Sequence, residues 1–319
     1  MKKLTAMNVK IIRVILAAML VLSLAACSSA TDNVDTDSWY SFTDHKGNNV
    51  VLQQKPENVA VLFSSFGDIW VTAGGKVDIT VGETVQRGFA ANTAILVDSG
   101  AGKSINTELL IASKPDFVIC SADVPAQQDA AKLLAQAGIP CASFRVESFE
   151  DYLDVLRICT DITANKEMYQ QYGIVVEQNI KQIMAQTEQM SENKKILFVR
   201  AGSGSSATKA KTANDHFAAA MLKELGTYNI AENATILLDG LSLEEIIMEK
   251  PEYIFISTMG DETAAKEYIN SLFAQPQWQA VEAVKNGNYV FLPKELFQYK
   301  PNSRWDKAYE YLVNALYEQ

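Results

Sequence analysis

Two stretches of this 319-residue chain can be laid over one another without a gap: INTELLIASKPDFVIC at residues 105–120 and LSLEEIIMEKPEYIFI at residues 241–256. Each reads as a polar cap, an acid in the first helical turn, an apolar run, Lys-Pro-acid and a buried strand. Asn106 and Ser242 carry side-chain oxygens suited to accept a free N–H at a helix start. Glu108 and Glu244 fall near the helix's positive end, where an acid is worth about 0.3–1 kcal/mol. Pro115 and Pro251 end the helices because proline has no N–H with which to continue the ladder. A repeat about 136 residues apart predicts two similar lobes.

Residues 164–192 lie between the copies. Met168, Tyr172, Val175, Val176, Ile180, Ile183 and Met184 recur there at three- and four-residue steps, the spacing of one helix face. No proline interrupts them, and Gly173 costs only about 1 kcal/mol. A helix of some 25 residues, about 37 Å long, exceeds what a strand crossover needs and predicts a connector between lobes. On either side, continuous apolar runs alternate with helical ones. The runs at 59–63, 77–81, 117–120 and 139–144 precede it; those at 195–199, 253–256 and 289–292 follow it. Strands without polar alternation, separated by helices, predict mostly parallel sheets covered on both faces. Residues 40–43 and 50–52 flank a Gly/Asn loop and predict an opening hairpin. The expected fold is α/β: an N-terminal lobe over 39–163 and a C-terminal lobe over 193–319, with mainly parallel central sheets. One long helix joins them, and a ligand cleft lies between them. A single connector predicts modest opening of that cleft.

The chain begins with an export pattern. Residues 1–13 carry four basic residues and no acid, and residues 14–26 are 13 apolar or small ones. That is too short for the roughly 20 residues of a spanning helix and matches a signal peptide over 1–26. Leu24-Ala25-Ala26-Cys27 resembles the lipobox of bacterial lipoproteins, which implies cleavage before Cys27 and a diacylglyceryl anchor on its sulfur. The alternative is an ordinary signal cut near Ser28–Ala30. Residues 27–38 are small, polar and acidic, the composition of a flexible tether. Losing residues 1–26 removes four of 28 basic residues and none of 38 acidic ones, leaving a net charge of −14. With no basic tract left, nucleic acid is not an expected partner, and the membrane is met through the lipid alone. Beyond Cys27 stand Cys120, Cys141 and Cys159. They suit one bridge between Cys120 and Cys141 or three buried thiols.

The order of these features resembles a known family: the lipid-anchored substrate-binding proteins of ABC importers whose lobes are joined by one rigid helix. The signs are YSFTDHKGNNVVL (40–52) before KPENVAVL (55–62), the Glu-x₆-Pro-acid unit once per lobe, GTYNIA (226–231) and WQAVEAVKNGNYVFLP (278–293). The resemblance implies an extracytoplasmic, non-enzymatic, monomeric binding protein that holds a ferric siderophore, or alternatively haem or a corrinoid such as cobalamin. It also implies that one glutamate per lobe docks with arginine pockets of a permease dimer. The family pattern falls on Glu108 and Glu244, with Glu245 the neighbour should the register slip by one; the plainer reading is that both are helix-dipole acids.

Cleft loops are expected after strand ends. The candidates for ligand contact are Ser65, Trp70, Arg87, Arg200, Tyr299 and Arg304, because a large anionic chelate calls for aromatic surface and planar donor forks. Each has an ordinary alternative. Trp70 sits in an apolar helix and suits the core; Arg304 suits a helix cap or an acid pair; Tyr299 is also able to ligate haem iron as a phenolate. His45 and His216 are the only histidines, too dispersed for a multi-histidine site for a bare cation, and His216 reads as structural or as cleft-facing. No resident cofactor or metal is expected. Gly100–Ser104 ends like a phosphate loop, but Val97 stands where its first glycine belongs. No HExxH or GxSxG occurs. Two readings of other classes stand beside this one. A metal-cluster oxidoreductase component would need cysteines on both sides of the cleft, and an adhesion module would have no small-molecule site.

Overall fold

The computed structural model describes residues 38–98, 104–187 and 193–317. The expected signal, Cys27 and nearly all of the tether lie outside the described residues, as do 99–103 and the last five positions of the expected connector. Among the described residues, no helix is long and apolar enough to cross a membrane.

The hairpin forms as β1 (Tyr40–Thr43) and β2 (Asn49–Leu52), antiparallel. The N-lobe sheet then takes β3 (Val59–Val61), β4 (Ile79–Thr80), β5 (Ile95–Leu96), β6 (Phe117–Ser121) and β7 (Cys141–Phe144), all parallel in the order β5-β4-β3-β6-β7. The C-lobe sheet uses β8 (Lys195–Ala201), β9 (Lys209–Ala210), β10 (Tyr228–Asn229), β11 (Tyr253–Thr258) and β12 (Tyr289–Phe291). It runs β10-β8-β11-β12 in parallel, with β9 antiparallel beside β8. β3 and β6 are buried throughout, which is why their sequences show no alternation.

The repeated unit is the same structure twice. Asn106 accepts the Leu109 N–H at 3.0 Å and Ser242 the Glu245 N–H at 3.4 Å, opening helices Thr107–Ala112 and Leu243–Glu249. Lys114 (φ 51°) and Lys250 (φ 53°) both turn left-handed just before the proline. The acid that follows pins the neighbouring strand. Asp116 accepts the N–H groups of Glu57 (2.7 Å) and Asn58 (3.1 Å), and Glu252 accepts that of Lys195 (2.9 Å). Those donors stand at the entrances to β3 and β8, so Lys-Pro-acid sets where each central strand begins.

The connector is helical from Lys166 to Thr187, with one wide π turn at Gln170–Ile174. It spans about 33 Å at 1.5 Å per residue. It starts two residues later than expected because Ala164 (φ 59°) caps the preceding helix Phe149–Thr163. The π turn leaves the Tyr172 carbonyl to be met from outside, and the Tyr152 hydroxyl donates to it at 3.0 Å. Gly173 lies where a Cβ would stand 3.0 Å from Leu153 Cδ2, so glycine lets the two helices touch. The last helix, Trp305–Tyr317, returns along the connector, with the Asn179 amide donating to Asp306 Oδ2 at 2.7 Å. One apolar cluster, running from Phe42 and Phe144 through Phe149 and Trp305 to Phe217 and Phe198, continues through both lobes.

Asp116→Ala removes the acceptor of two backbone N–H groups at a strand entrance. Hydrogen bonds to charged groups are worth about 1.5–3 kcal/mol each at most, so urea unfolding should show a loss of about 1–3 kcal/mol. Glu252→Ala, with one such bond, should lose less. Equal stability of Asp116→Ala and wild type would remove the pinning role.

Candidate ligand cleft

Parallel strands place all their C-terminal ends on one edge of a sheet, where ligands of open α/β folds collect. Here the edges of both lobes face a shared junction. On the N-lobe side, helix Ser64–Thr72 starts directly after β3. Ser64 and Ser65 are buried in its first turn, and Arg87 reaches back to them, Nη1 donating to Ser64 Oγ at 2.9 Å and to Ser65 Oγ at 3.4 Å. From the C-lobe, the Tyr299 ring covers the Arg87 guanidinium at 3.9 Å, and Phe89 flanks it at 4.9 Å. Arg87 Nε and Nη2 are buried with no hydrogen-bond partner. Burial pulls the arginine's pKa down, and Asp68, Glu295 and Glu83 pull it back up.

A buried amide joins the lobes beside this arginine. Asn302 holds a left-handed backbone (φ 52°), and its Nδ2 donates to the Ser65 carbonyl at 2.8 Å and Asp68 Oδ2 at 2.9 Å. Asparagine tolerates that conformation better than most residues. Desolvation raises the Asp68 pKa; the Asn302 hydrogen bond and the Arg87 charge lower it in part.

Further along, a groove of 410 Å³ lies between Asp123, Arg145 and Glu147 of the N-lobe and residues 213–217 of the C-lobe. Arg145 Nε donates to both Asp123 carboxylate oxygens, at 2.8 and 3.0 Å. Lys300 pairs with Glu147 across the junction at 2.7 Å and lies over the Phe217 ring at 4.5 Å. Arg200, in β8, is partly exposed, and among the described residues its side chain has no hydrogen bond or ion pair. Burial lowers its pKa, and the Glu147 charge opposes that.

The expected contact residues therefore separate. Arg87, Arg200 and Tyr299 lie at the junction. Ser65 is buried and supports Arg87. Arg304 donates Nη2 to the Glu295 carbonyl at 3.2 Å, which is closer to a helix-end contact than to an acid pair. Trp70 is 2 % exposed, with its indole N–H on the Lys76 carbonyl at 2.8 Å and its ring on Phe117. A Cβ on Gly75 would stand 2.2 Å from that indole, so the glycine just past this helix seats a core tryptophan, and Trp70 faces the core and not the cleft. His216 borders the groove, yet its Nδ1 caps the helix Phe217–Glu224 through the Ala218 N–H at 3.2 Å, between Phe198 and Phe217. Asp68, Asn302, Arg145, Glu147 and Lys300 were missed. Arg145 and Glu147 follow β7, and treating its end as a cleft loop like the others finds them. For Asp68 and Asn302 the sequence offers no signal.

Glu108 and Glu244 are exposed, each at the second position of its helix, while Glu245 is half-buried. No group of three or more His, Cys, Asp or Glu able to hold a metal ion occurs among the described residues.

Desolvation, with help from Arg200 and Lys300, pushes the His216 pKa down to about 3. The unfolded chain therefore binds a proton that the folded one refuses, and stability falls as pH drops below about 6.5. Between pH 6.5 and 5 the loss from this one group is roughly 1.5 kcal/mol. Asp68 acts in the opposite sense, its raised pKa adding stability on acidification, so the comparison must isolate His216. His216→Asn keeps a capping oxygen and does not titrate; its melting temperature should fall less than that of wild type between pH 7.5 and 5. Parallel curves would place His216 elsewhere than in a dry, uncharged site.

Known proteins of this shape agree with the two-lobed arrangement. A catecholate-siderophore binding protein, VctP of Vibrio cholerae, superposes with a TM-score of 0.67 at 19% identity, over 88% of this chain and 99% of that one. The haem-binding protein RhuT of Roseiflexus sp. RS-1 gives 0.66 at 17%, over 82% and 98%. The vitamin B12 binding protein BtuF of Vibrio cholerae gives 0.65 at 19%, over 82% and 97%. At such identities the likeness concerns the fold. None of the curated proteins matches the chain significantly. Residues 59–296 match the periplasmic binding protein family, and the chain belongs to that family of extracytoplasmic, non-enzymatic solute-binding proteins.

Proposed function

We propose that this protein captures a ferric siderophore between its lobes and hands it to the permease dimer of an ABC importer, while held at the membrane by a lipid on Cys27. The observation that carries this reading is the state of two arginines at the junction. Arg87 keeps two buried donors without acceptors, and Arg200 feels the Glu147 charge but makes no side-chain hydrogen bond or ion pair among the described residues, although the exported chain carries 38 acidic residues against 24 basic ones. Leaving a charged donor unpaired away from water is costly, and the two buried donors of Arg87 bear that cost. A carboxylate- or catecholate-bearing chelate supplies the missing acceptors, and an arginine fork meets such oxygens two at a time. Tyr299 and Phe89 add aromatic surface for the organic part of the ligand. The proteins of similar shape described above bind a catecholate siderophore, haem and vitamin B12, all large chelates.

Calorimetry with ferric siderophores of carboxylate and catecholate type, haem and cobalamin tests the reading. A ferric siderophore should bind at micromolar affinity or tighter. Arg200→Ala should weaken it by about tenfold or more, since a charge-assisted hydrogen bond is worth about 1.5–3 kcal/mol. Preference for haem or cobalamin would replace the siderophore, and no binding below millimolar concentration to any of the panel would end the chelate assignment.

Delivery is assigned to Glu108 and Glu244. They are exposed, occupy equivalent positions in duplicated helices, and each exceeds what capping alone requires, because Asn106 and Ser242 already serve the first N–H groups. The double variant Glu108→Lys, Glu244→Lys should bind ligand within twofold of wild type and lose most uptake in cells. Loss of ligand binding in the purified double variant would move both acids from docking to the binding site.

A further inference from the structure

The cleft makes no use of the cysteines, and two of them are in contact. Cys120 in β6 and Cys141 in β7 have their sulfurs 3.6 Å apart. In the parallel register Val118 faces Cys141 and Cys120 faces Ser143, so the two cysteines stand two positions apart on neighbouring strands. With a side-chain period of two, both point to the same face of the sheet.

Their surroundings differ. Cys120 is fully buried; Ser143 Oγ lies 3.4 Å from its sulfur, and Gln128 Nε2 lies 3.7 Å from it. Cys141 is partly exposed and opens onto a groove of 550 Å³ between the β1–β2 hairpin and helix Pro125–Gln136, with Lys46, Lys132 and Gly138 on its walls. Contact with Cys141 outweighs burial and, with the Ser143 and Gln128 contacts, holds the Cys120 thiol below its ordinary pKa, while contact with Cys120 and burial hold Cys141 above. Cys159 has no such neighbour. It is buried in the apolar cluster, and burial alone pushes its thiol up.

We propose that Cys120 and Cys141 are a redox-active dithiol, oxidised to an intrachain disulfide by an external disulfide that enters through the groove at Cys141. Cys141 sulfur attacks the incoming disulfide, gives up its proton and releases one thiol, leaving a mixed disulfide. Cys120 sulfur then attacks Cys141 Sγ, and its proton passes to the second thiol as that leaves. The protein loses two electrons and two protons, and the incoming disulfide is reduced to two thiols, by ordinary thiol–disulfide exchange. Contact at 3.6 Å must close to the bond length of ~2.05 Å, a shift of about 1.5 Å shared by two side chains and their strands. An extracytoplasmic location supplies the oxidising conditions under which such bonds persist. The bridge would tie β6 to β7 just before the loops that carry Asp123 and Arg145, and so would fix one wall of the cleft groove.

The test uses the full chain with oxidised glutathione as the oxidant, followed by alkylation and peptide mass mapping, which separates this pair from Cys27. A Cys120–Cys141 linked peptide is expected, with Cys159 alkylated only after denaturation. The melting temperature should rise by several degrees on oxidation and return on reduction, since a cross-link restricts the unfolded chain. Cys120→Ser should stop at glutathione on Cys141, and Cys141→Ser should leave Cys120 unmodified in the folded protein. Wild type that stops at the mixed disulfide, keeps both thiols free, or bridges either cysteine to Cys159 would overturn the proposal.

Discussion

A parallel strand can be followed by another only after a crossover, and that constraint governs the rest of this molecule. Each crossover returns the chain to the same end of the sheet, so every parallel strand opens its following loop on one edge. The Lys-Pro-acid unit enforces the starting level: Asp116 and Glu252 fix the entrances to β3 and β8, and the strand ends are thereby fixed too. Arg200 near the end of β8, Arg145 just after β7, and Arg87 at the end of the helix Gly82–Gln86 that follows β4 all reach the same junction. A connector of about 33 Å then sets the separation of the two edges.

What holds the lobes together is mostly apolar. Trp305 is 1% exposed, between Phe149 (ring centroids 6.3 Å apart) and Phe217 (5.6 Å). Burying a side chain of that size contributes about 1.5–3 kcal/mol or more, and its two edge-on ring contacts about 0.5–1.5 kcal/mol each. The Lys300–Glu147 pair also crosses the junction, but Glu147 is 55% exposed, and an ion pair so open to water adds at most about 1 kcal/mol. The Asn302 amide contributes direction more than energy, since its two acceptors sit on one helix turn and admit one orientation. Apolar contacts therefore keep the halves associated, and polar contacts fix how they meet. That division suits a binding cleft, because ligand charges can be exchanged for protein charges without cutting the apolar seam.

Much of this was legible in the residues. The repeated unit, the buried strands, the connector and the exposure of Glu108 and Glu244 follow from spacing and caps, which are local properties. The structure departs from the sequence where a partner decides. β5 and β10 have two residues each and stand at sheet edges, where pairing with a single neighbour, β4 or β8, defines them. β9 runs against its neighbours only after a loop turns it back along β8. The π turn answers to Tyr152, twenty positions away. Of the site candidates, arginines at strand ends reached the junction, whereas Trp70 went to the core, because an aromatic residue in an apolar helix is claimed by whichever side offers more burial.

The same division explains why shape does not choose the ligand. Binding proteins for a catecholate siderophore, haem and vitamin B12 superpose on this chain almost equally well. Sheets, crossovers and connector are what superposition measures, and they are set by burial and hydrogen-bond geometry common to all three. Selectivity must then reside in side chains that those forces leave free. On the reading proposed above, these include the buried donors of Arg87 that find no acceptor, which cost some stability to retain. A group kept at a cost to the fold is the sort that a ligand has to explain.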